Sequence, residues 1–211
     1  MTVHKALCEL KVLGDRIDKE INALTFLGVC KHSTQKIDGV LVKDYIDNTK
    51  AKYKSVMTLV NRRNAIKQAV ILSNAVTKVT IGGKEYTVAE AIDMKSNGIR
   101  YLRSILGKME GHWTRAQAMA ERENGEKLDL RADAYVKSLY EGSDMKNLSK
   151  ELQELRENFV ASQMVDIIDP IDVQKEMQTI RDHIDSFTTE VDSALSVSNA
   201  LTTINVEYET M

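Results

Sequence analysis

The densest polar cluster in the chain is Asn61-Arg62-Arg63-Asn64, set within an apolar helical stripe. A guanidinium presents a planar fork of donors that matches a phosphate or a carboxylate through paired bonds. In the register Val56, Leu59, Arg63, Ile66, the Arg63 side chain turns toward the helix-packing face. Arg100, and beside it Arg103, lie on the next long helical pattern and could converge with the cluster. Asn61, Arg62, Arg63, Asn64 and Arg100 are therefore the candidate binding residues for an anionic, nucleotide-type ligand. The competing reading is a solvated face with one internal ion pair, because an inward guanidinium needs a carboxylate or several carbonyls.

Other chemistries lack their signatures. The sequence has no nucleophile elbow, phosphate loop, dinucleotide fingerprint or zinc spacing. Gly82-Gly83 is not followed by a Gly-Lys-Ser/Thr element. His4, His32, His112 and His183 are dispersed, and no carboxylate or second His stands at metal spacing beside them on a helix face. Ser73 and Ser198 have no indicated base. Cys8 and Cys30, the only cysteines, suggest two reduced, buried thiols. Catalytic residues, metal ligands and cofactors are thus all expected to be none, and the chain reads as a non-enzyme. A formal net charge of -2 supplies no global basic field for nucleic acid. Met1-Thr2-Val3-His4-Lys5 leads into charge-interrupted sequence unlike a signal peptide, and no stretch reaches the ~18 apolar residues of a membrane span. A cytoplasmic or virion-associated location follows as the expectation.

Long helices must carry these residues. Charged residues make up 28% and aromatics 5%, and Pro170 is the single proline. A first helix is predicted over Val3–Leu24 from Leu7, Leu10, Leu13, Ile17, Ile21 and Leu24. Gly28–Gly39 reads as a loop or short hairpin, and a second helix runs from Asp44 to about Ser73. A hairpin over 76–88 turns at Gly82-Gly83. Thr87 and Glu90 form a capping box that opens a third helix through Ile92, Ile99, Leu102, Leu106, Met109 and Trp113, with a kink at Gly111. Trp113 and Tyr101 read as core packing, and Met94, Met109, Met119 and Met164 as core gap fillers. A break falls at 123–126. Leu128–Tyr140, a turn at 142–144 and a fourth helix marked by Leu148, Leu152, Leu155 and Phe159 follow. Asp169-Pro170 is predicted to start the last helix, as N-cap and first position. Its stripe, Val173, Met177, Ile180, Ile184, Phe187, Val191 and Ala194, has coiled-coil spacing.

One phrase occurs twice at a helix-to-strand junction: Ser73-Asn74-Ala75-Val76-Thr77 and Ser198-Asn199-Ala200-Leu201-Thr202. Asn tolerates the left-handed conformation of a C-cap, so Asn74 and Asn199 are the expected structural caps. The strands after them are expected to share one sheet, within a subunit or between two. The expected fold is mainly α: a single domain over 1–211, an elongated antiparallel helical bundle with a small β-sheet at one end made of the hairpin and a C-terminal strand over 202–207.

Three stretches carry a resemblance: Val60-Asn61-Arg62-Arg63-Asn64, the run Gly82-Gly83-Lys84-Glu85-Tyr86-Thr87-Val88-Ala89-Glu90-Ala91-Ile92, and Val191-Asp192-Ser193-Ala194-Leu195-Ser196-Val197-Ser198-Asn199-Ala200. Their order resembles the septicolysin-like family and small helical proteins encoded in phages and prophages of Gram-positive bacteria. Members typically carry Asn-Arg-Thr-Asn where this chain has Asn61-Arg62-Arg63-Asn64, and a Trp where it has Ala200. The resemblance implies a helical fold and a phage setting and carries over no catalytic residue; the family's name implies a pore-forming toxin.

The expected function is a self-associating phage or prophage structural or interaction protein. The stripe over 173–194 and the edges of a tiny sheet would contact a second copy, or a phage or host protein. The alternatives are a helical pore-forming toxin that inserts a segment around 76–92, and a protein that sequesters an anionic nucleotide.

Overall fold

The computed structural model describes residues 1–33, 35–140 and 149–208. The chain is mainly α-helical with small two-stranded sheets, as its composition dictates. Where one domain is expected, it divides into two compact units: Met1–Asn97 together with Ser186–Met211, and Gly98–Asp185.

The first unit opens with α1 (Val3–Asn22), capped by the Thr2 side chain. The inward stripe is Val3, Ala6, Leu10, Leu13 and Ile17, whereas Leu7 and Ile21 face solvent. The predicted stripe is thus correct at Leu10, Leu13 and Ile17 and off the buried line elsewhere. Strands β1 (Lys36–Ile37) and β2 (Val40–Leu41) form a small hairpin turned by Asp38 and Gly39, both at positive φ. Helix α2 (Val42–Val76) runs for 35 residues and buries Val56, Ile66 and Val70. Strands β3 (Lys78–Ile81) and β4 (Lys84–Thr87) pair antiparallel around Gly82 and Gly83, whose φ values of +57° and +74° suit the tight turn that glycine pairs favour. The capping box at Thr87 and Glu90 is present and opens α3 (Val88–Asp93).

The two Ser-Asn-Ala phrases end their helices the same way, but not at Asn. In each case the Thr two residues past the helix-borne Ala donates its backbone N–H to the Ser carbonyl: Thr77 to Ser73 at 2.9 Å and Thr202 to Ser198 at 2.8 Å. Asn74 and Asn199 lie inside α2 and α7 (Val173–Leu201), so the predicted caps at both positions are corrected. The cap is set three residues later, at Thr77 and Thr202, because the Thr carbonyl is claimed by the next element. Thr77 accepts from the Val88 N–H at 2.8 Å, and Thr202 accepts from the Val3 N–H at 2.9 Å.

The equivalence extends further. Val88 and Ala91, which open α3, are buried, as are Val3 and Ala6, which open α1. Thr87 accepts from the Glu90 N–H, and Thr2 from the Lys5 N–H. Lys78 pairs with Thr87, and Thr203 pairs with Thr2. The Ile204 N–H donates to the Met1 carbonyl at 2.8 Å, and the Met1 amino group donates to the Ile204 carbonyl at 2.9 Å. Residues 1–2 and 202–204 therefore rebuild, from two separate stretches, the pairing that β3 and β4 make through a glycine turn. The C-terminal segment over 202–207 does not join the hairpin, contrary to expectation: it contributes an isolated bridge at Thr203 to the N-terminal residues. Each pair packs on the helix that leads into the other. The Tyr86 and Phe187 rings meet edge to face at 5.6 Å, and the Gly82 N–H donates to the Glu190 carboxylate at 2.7 Å. Ile204 instead joins the core of Ile66, Val70, Val3, Ala6 and Leu13.

A π turn at Met94–Gly98 follows α3 and leads into α4 (Ile99–Asn124), which passes Gly111 as unbroken helix. The irregularity thus falls at 94–98 and not at the glycine. In the second unit the break at Gly125 separates α4 from α5 (Glu126–Leu139), which buries Leu128, Ala132 and Val136. Helix α6 (Lys150–Gln163) is held to α5 by Arg156, which bonds Asp133 at 2.8 Å and Asp129 at 2.7 Å, and by Phe159 stacked on Tyr135 at 4.6 Å. The Asn124 side chain clamps the next segment at two points, donating to the Val165 carbonyl and accepting from its N–H, each at 2.8 Å. The predicted turn at 142–144 and Leu148 lie outside the described residues. The last helix begins at Val173, not at Asp169: the Asp169 carboxylate reaches forward to the Val173 N–H at 2.9 Å, across a turn in which Asp172 takes a φ of +54°. Its stripe is buried as expected at Met177, Ile180, Ile184, Phe187 and Val191.

Candidate functional site

Helix α2 carries Asn61-Arg62-Arg63-Asn64 straight through without a break, so helical geometry decides which side chains point inward. The inward line is Leu59, Arg62, Ile66 and Val70. Arg62, and not Arg63, is the partly buried guanidinium. Its Nε–H donates to the Glu9 carboxylate of α1, and an Nη1–H donates to the Tyr208 hydroxyl at 2.8 Å. These two bonds, Glu9 first, hold the Arg62 pKa above its ordinary value. Arg62 thus ties three stretches together: the first helix, the middle of α2 and the C-terminal segment. It lines a small cavity of about 220 Å³ with Met1, Ile66, Ile204, Asn205 and Val206.

The other cluster residues are placed differently. Arg63 is exposed and donates to the Asn64 side chain at 3.1 Å. Asn61 is half-buried beside Arg62. Arg100 belongs to the second unit, where it is exposed, donates to the Tyr101 hydroxyl at 3.3 Å and lies 5.0 Å from that ring's centre. Of the predicted ligand residues, Arg62 alone is built into a tertiary network, and two of its five N–H donors are engaged by Glu9 and Tyr208.

A larger groove of about 580 Å³ opens where α2 meets the C-terminal segment. Ala65, Ala69, Leu72 and Val76 form one wall, and Thr202, Ile204 and Asn205 contribute to the other. Leu72 is 62% exposed and Val76 75% exposed, at an i, i+4 step on α2. The equivalent residues of α7 repeat this: Val197 is 55% and Leu201 75% exposed. Four large apolar side chains therefore stand in solvent at matched positions in and just before the duplicated phrase. The sequence signal for this was the phrase itself, since each helix continues two apolar-bearing residues past its Asn.

Several other expectations need correction. Cys8 and Cys30 are exposed, not buried. Cys8 lies one helical turn from His4, with Sγ 3.8 Å from Nε2. Tyr101, Met119 and Met164 are exposed rather than core residues, while Trp113, Met94 and Met109 are half-buried. Among the described residues no three His, Cys, Asp or Glu side chains gather to hold a metal ion, and no helix is long and apolar enough to cross a membrane.

No family model, curated protein or solved structure matches this chain.

Proposed function

We propose that this protein is a non-enzymatic, self-associating structural or interaction component of a phage or prophage, working in the host cytoplasm or the virion. The observation that carries the self-association is the doubled apolar patch: Leu72 and Val76 at the end of α2, and Val197 and Leu201 at the end of α7, all more than half exposed. Contiguous apolar surface on a folded protein marks an interaction site, and the two-stranded sheets leave strand edges available for pairing. A second copy of the chain is the occupant that matches, because ridges of the same kind on both partners suit an isologous contact. The stripe over 173–194 does not supply this contact, since Met177, Ile180, Ile184, Phe187 and Val191 are spent inside the chain. The phage setting rests on the resemblance of the three sequence stretches. Light scattering on the purified protein tests the proposal. A mass of at least two chains, reduced to one by Val76→Glu with Leu201→Glu, is expected.

The alternatives draw less from the geometry. The hairpin that a toxin would insert has Val79, Ile81, Tyr86 and Val88 buried. The guanidinium that a ligand would need at Arg62 is held by Glu9 and Tyr208.

A further inference from the structure

The second unit contains a cavity of about 660 Å³ between the middle of α4 and the segment that precedes α7. We infer that this cavity is a binding site for an aromatic ring bearing an anionic group, a ligand of mononucleotide size, stacked on Trp113 with its anion held by Lys108 and His112. Three features converge on this chemistry. The first is the indole: Trp113 is half-buried in the wall, and a ring face at the edge of a concave site is a natural stacking surface. The second is charge. Lys108 and His112 lie one helical turn apart on α4, line the same cavity, and make no hydrogen bond or ion pair among the described residues. The Trp113 indole N–H is likewise without a protein acceptor there. Lys108 and His112 are exposed at the rim, and with Trp113 they give one concavity donors that no protein group occupies, which suits a ligand that carries acceptors.

The third feature is the opposite wall. Ile167, Ile168 and Ile171 are 38%, 83% and 55% exposed, so a flat apolar ring would cover side chains that now face solvent. The carboxylate in the lining, Asp169, does not oppose an anion strongly. Its oxygens already accept from the Ile171 N–H at 3.3 Å and the Val173 N–H at 2.9 Å, and the start of α7 offsets its charge. The segment is positioned from behind by the Asn124 clamp on Val165, so the wall is fixed to the same helix that carries the donors. The volume lies within the range of small-ligand sites, roughly 300–1,000 Å³. This site is independent of self-association: none of its residues belongs to the patches at Leu72, Val76, Val197 and Leu201.

Trp113 is the only tryptophan in the chain, so its emission reports on this cavity alone. The full-length protein is titrated with AMP and with indole-3-acetate, which join a ring to an anion, and with adenosine and inorganic phosphate, which separate the two; calorimetry runs in parallel. Saturable quenching by AMP, saturable heat with indole-3-acetate (whose own indole emission covers that of Trp113), or both, with adenosine and phosphate at least about tenfold weaker, is expected, and the ring-bearing anion that binds identifies the source. Lys108→Ala with His112→Ala should weaken the binding at least about tenfold while far-UV circular dichroism stays unchanged. No response to either ring-bearing anion overturns the site. An equal response to adenosine, or one that survives in the double variant, overturns the roles of Lys108 and His112.

Discussion

Gly82 is where the hairpin meets α7, and replacing it with alanine measures that contact. The residue has two separate reasons to be glycine. Its φ of +57° is left-handed, and a Cβ built there would lie 2.9 Å from the Ser186 hydroxyl and 3.3 Å from the Ser186 Cβ. Its neighbour Gly83, at φ +74°, has nothing within 4 Å of such a Cβ. Gly83→Ala therefore carries only the backbone cost of a left-handed alanine, about 1–2 kcal/mol. Gly82→Ala carries that cost plus the overpacking against α7, together about 2–5 kcal/mol. Urea denaturation followed by circular dichroism gives both values from the midpoints at constant slope. A cycle with Ser186→Ala isolates the steric part, since removing the hydroxyl should return about 1 kcal/mol of the Gly82→Ala loss. Equal losses for the two glycine variants, with no coupling to Ser186, would refute the packing of the hairpin on α7.

Three further outcomes follow. Arg62→Met keeps the aliphatic stem but removes the bonds to Glu9 and Tyr208; with about a third of the side chain exposed, the loss should be about 1 kcal/mol by urea denaturation, smaller at high salt. The Glu90 carboxylate accepts from the Thr87 N–H and hydroxyl, which holds its pKa below the ordinary 4.5. A depressed carboxylate stabilises above its unfolded value and loses that contribution as pH falls through its folded value, so Glu90→Gln should flatten the loss of stability as pH falls below about 4.5. Because the Met1 and Ile204 backbones are hydrogen-bonded to each other, a circular permutant with its first and last residues joined by a flexible linker and new ends between Gly82 and Gly83 should still melt in one cooperative step; a non-cooperative melt would count against the paired ends.

The sequence made most of the helical frame legible because its strongest signals are local. The capping box at Thr87 and Glu90, the Gly82-Gly83 turn and the stripe over 173–194 depend on near neighbours, and all three are where the spacing puts them. What misled was tertiary. Asn74 and Asn199 are reasonable C-caps by propensity, yet the helices end where Thr77 and Thr202 meet Val88 and Val3, one partner eleven residues away and the other near the opposite end of the chain. The pattern puts the C-terminal strand with the hairpin because a third strand stabilises a lone pair; the N-terminal residues are its partner, and an isolated bridge leaves no periodic trace. The register from Leu59 admits Arg63 at four residues or Arg62 at three, and only the position of Glu9 on α1 selects three. The Trp113 cavity was not legible as a site, since its far wall comes from residues more than fifty positions downstream.

The most direct measurement is the absolute mass of the protein by light scattering from low to high micromolar concentration, for the wild type and for Val76→Glu with Leu201→Glu. Self-association through the ends of α2 and α7 gives the wild type a mass of two or more chains and the variant, still helical by circular dichroism, a mass of one. A wild-type protein that stays a strict monomer at high micromolar concentration, or a variant that associates unchanged, would contradict it.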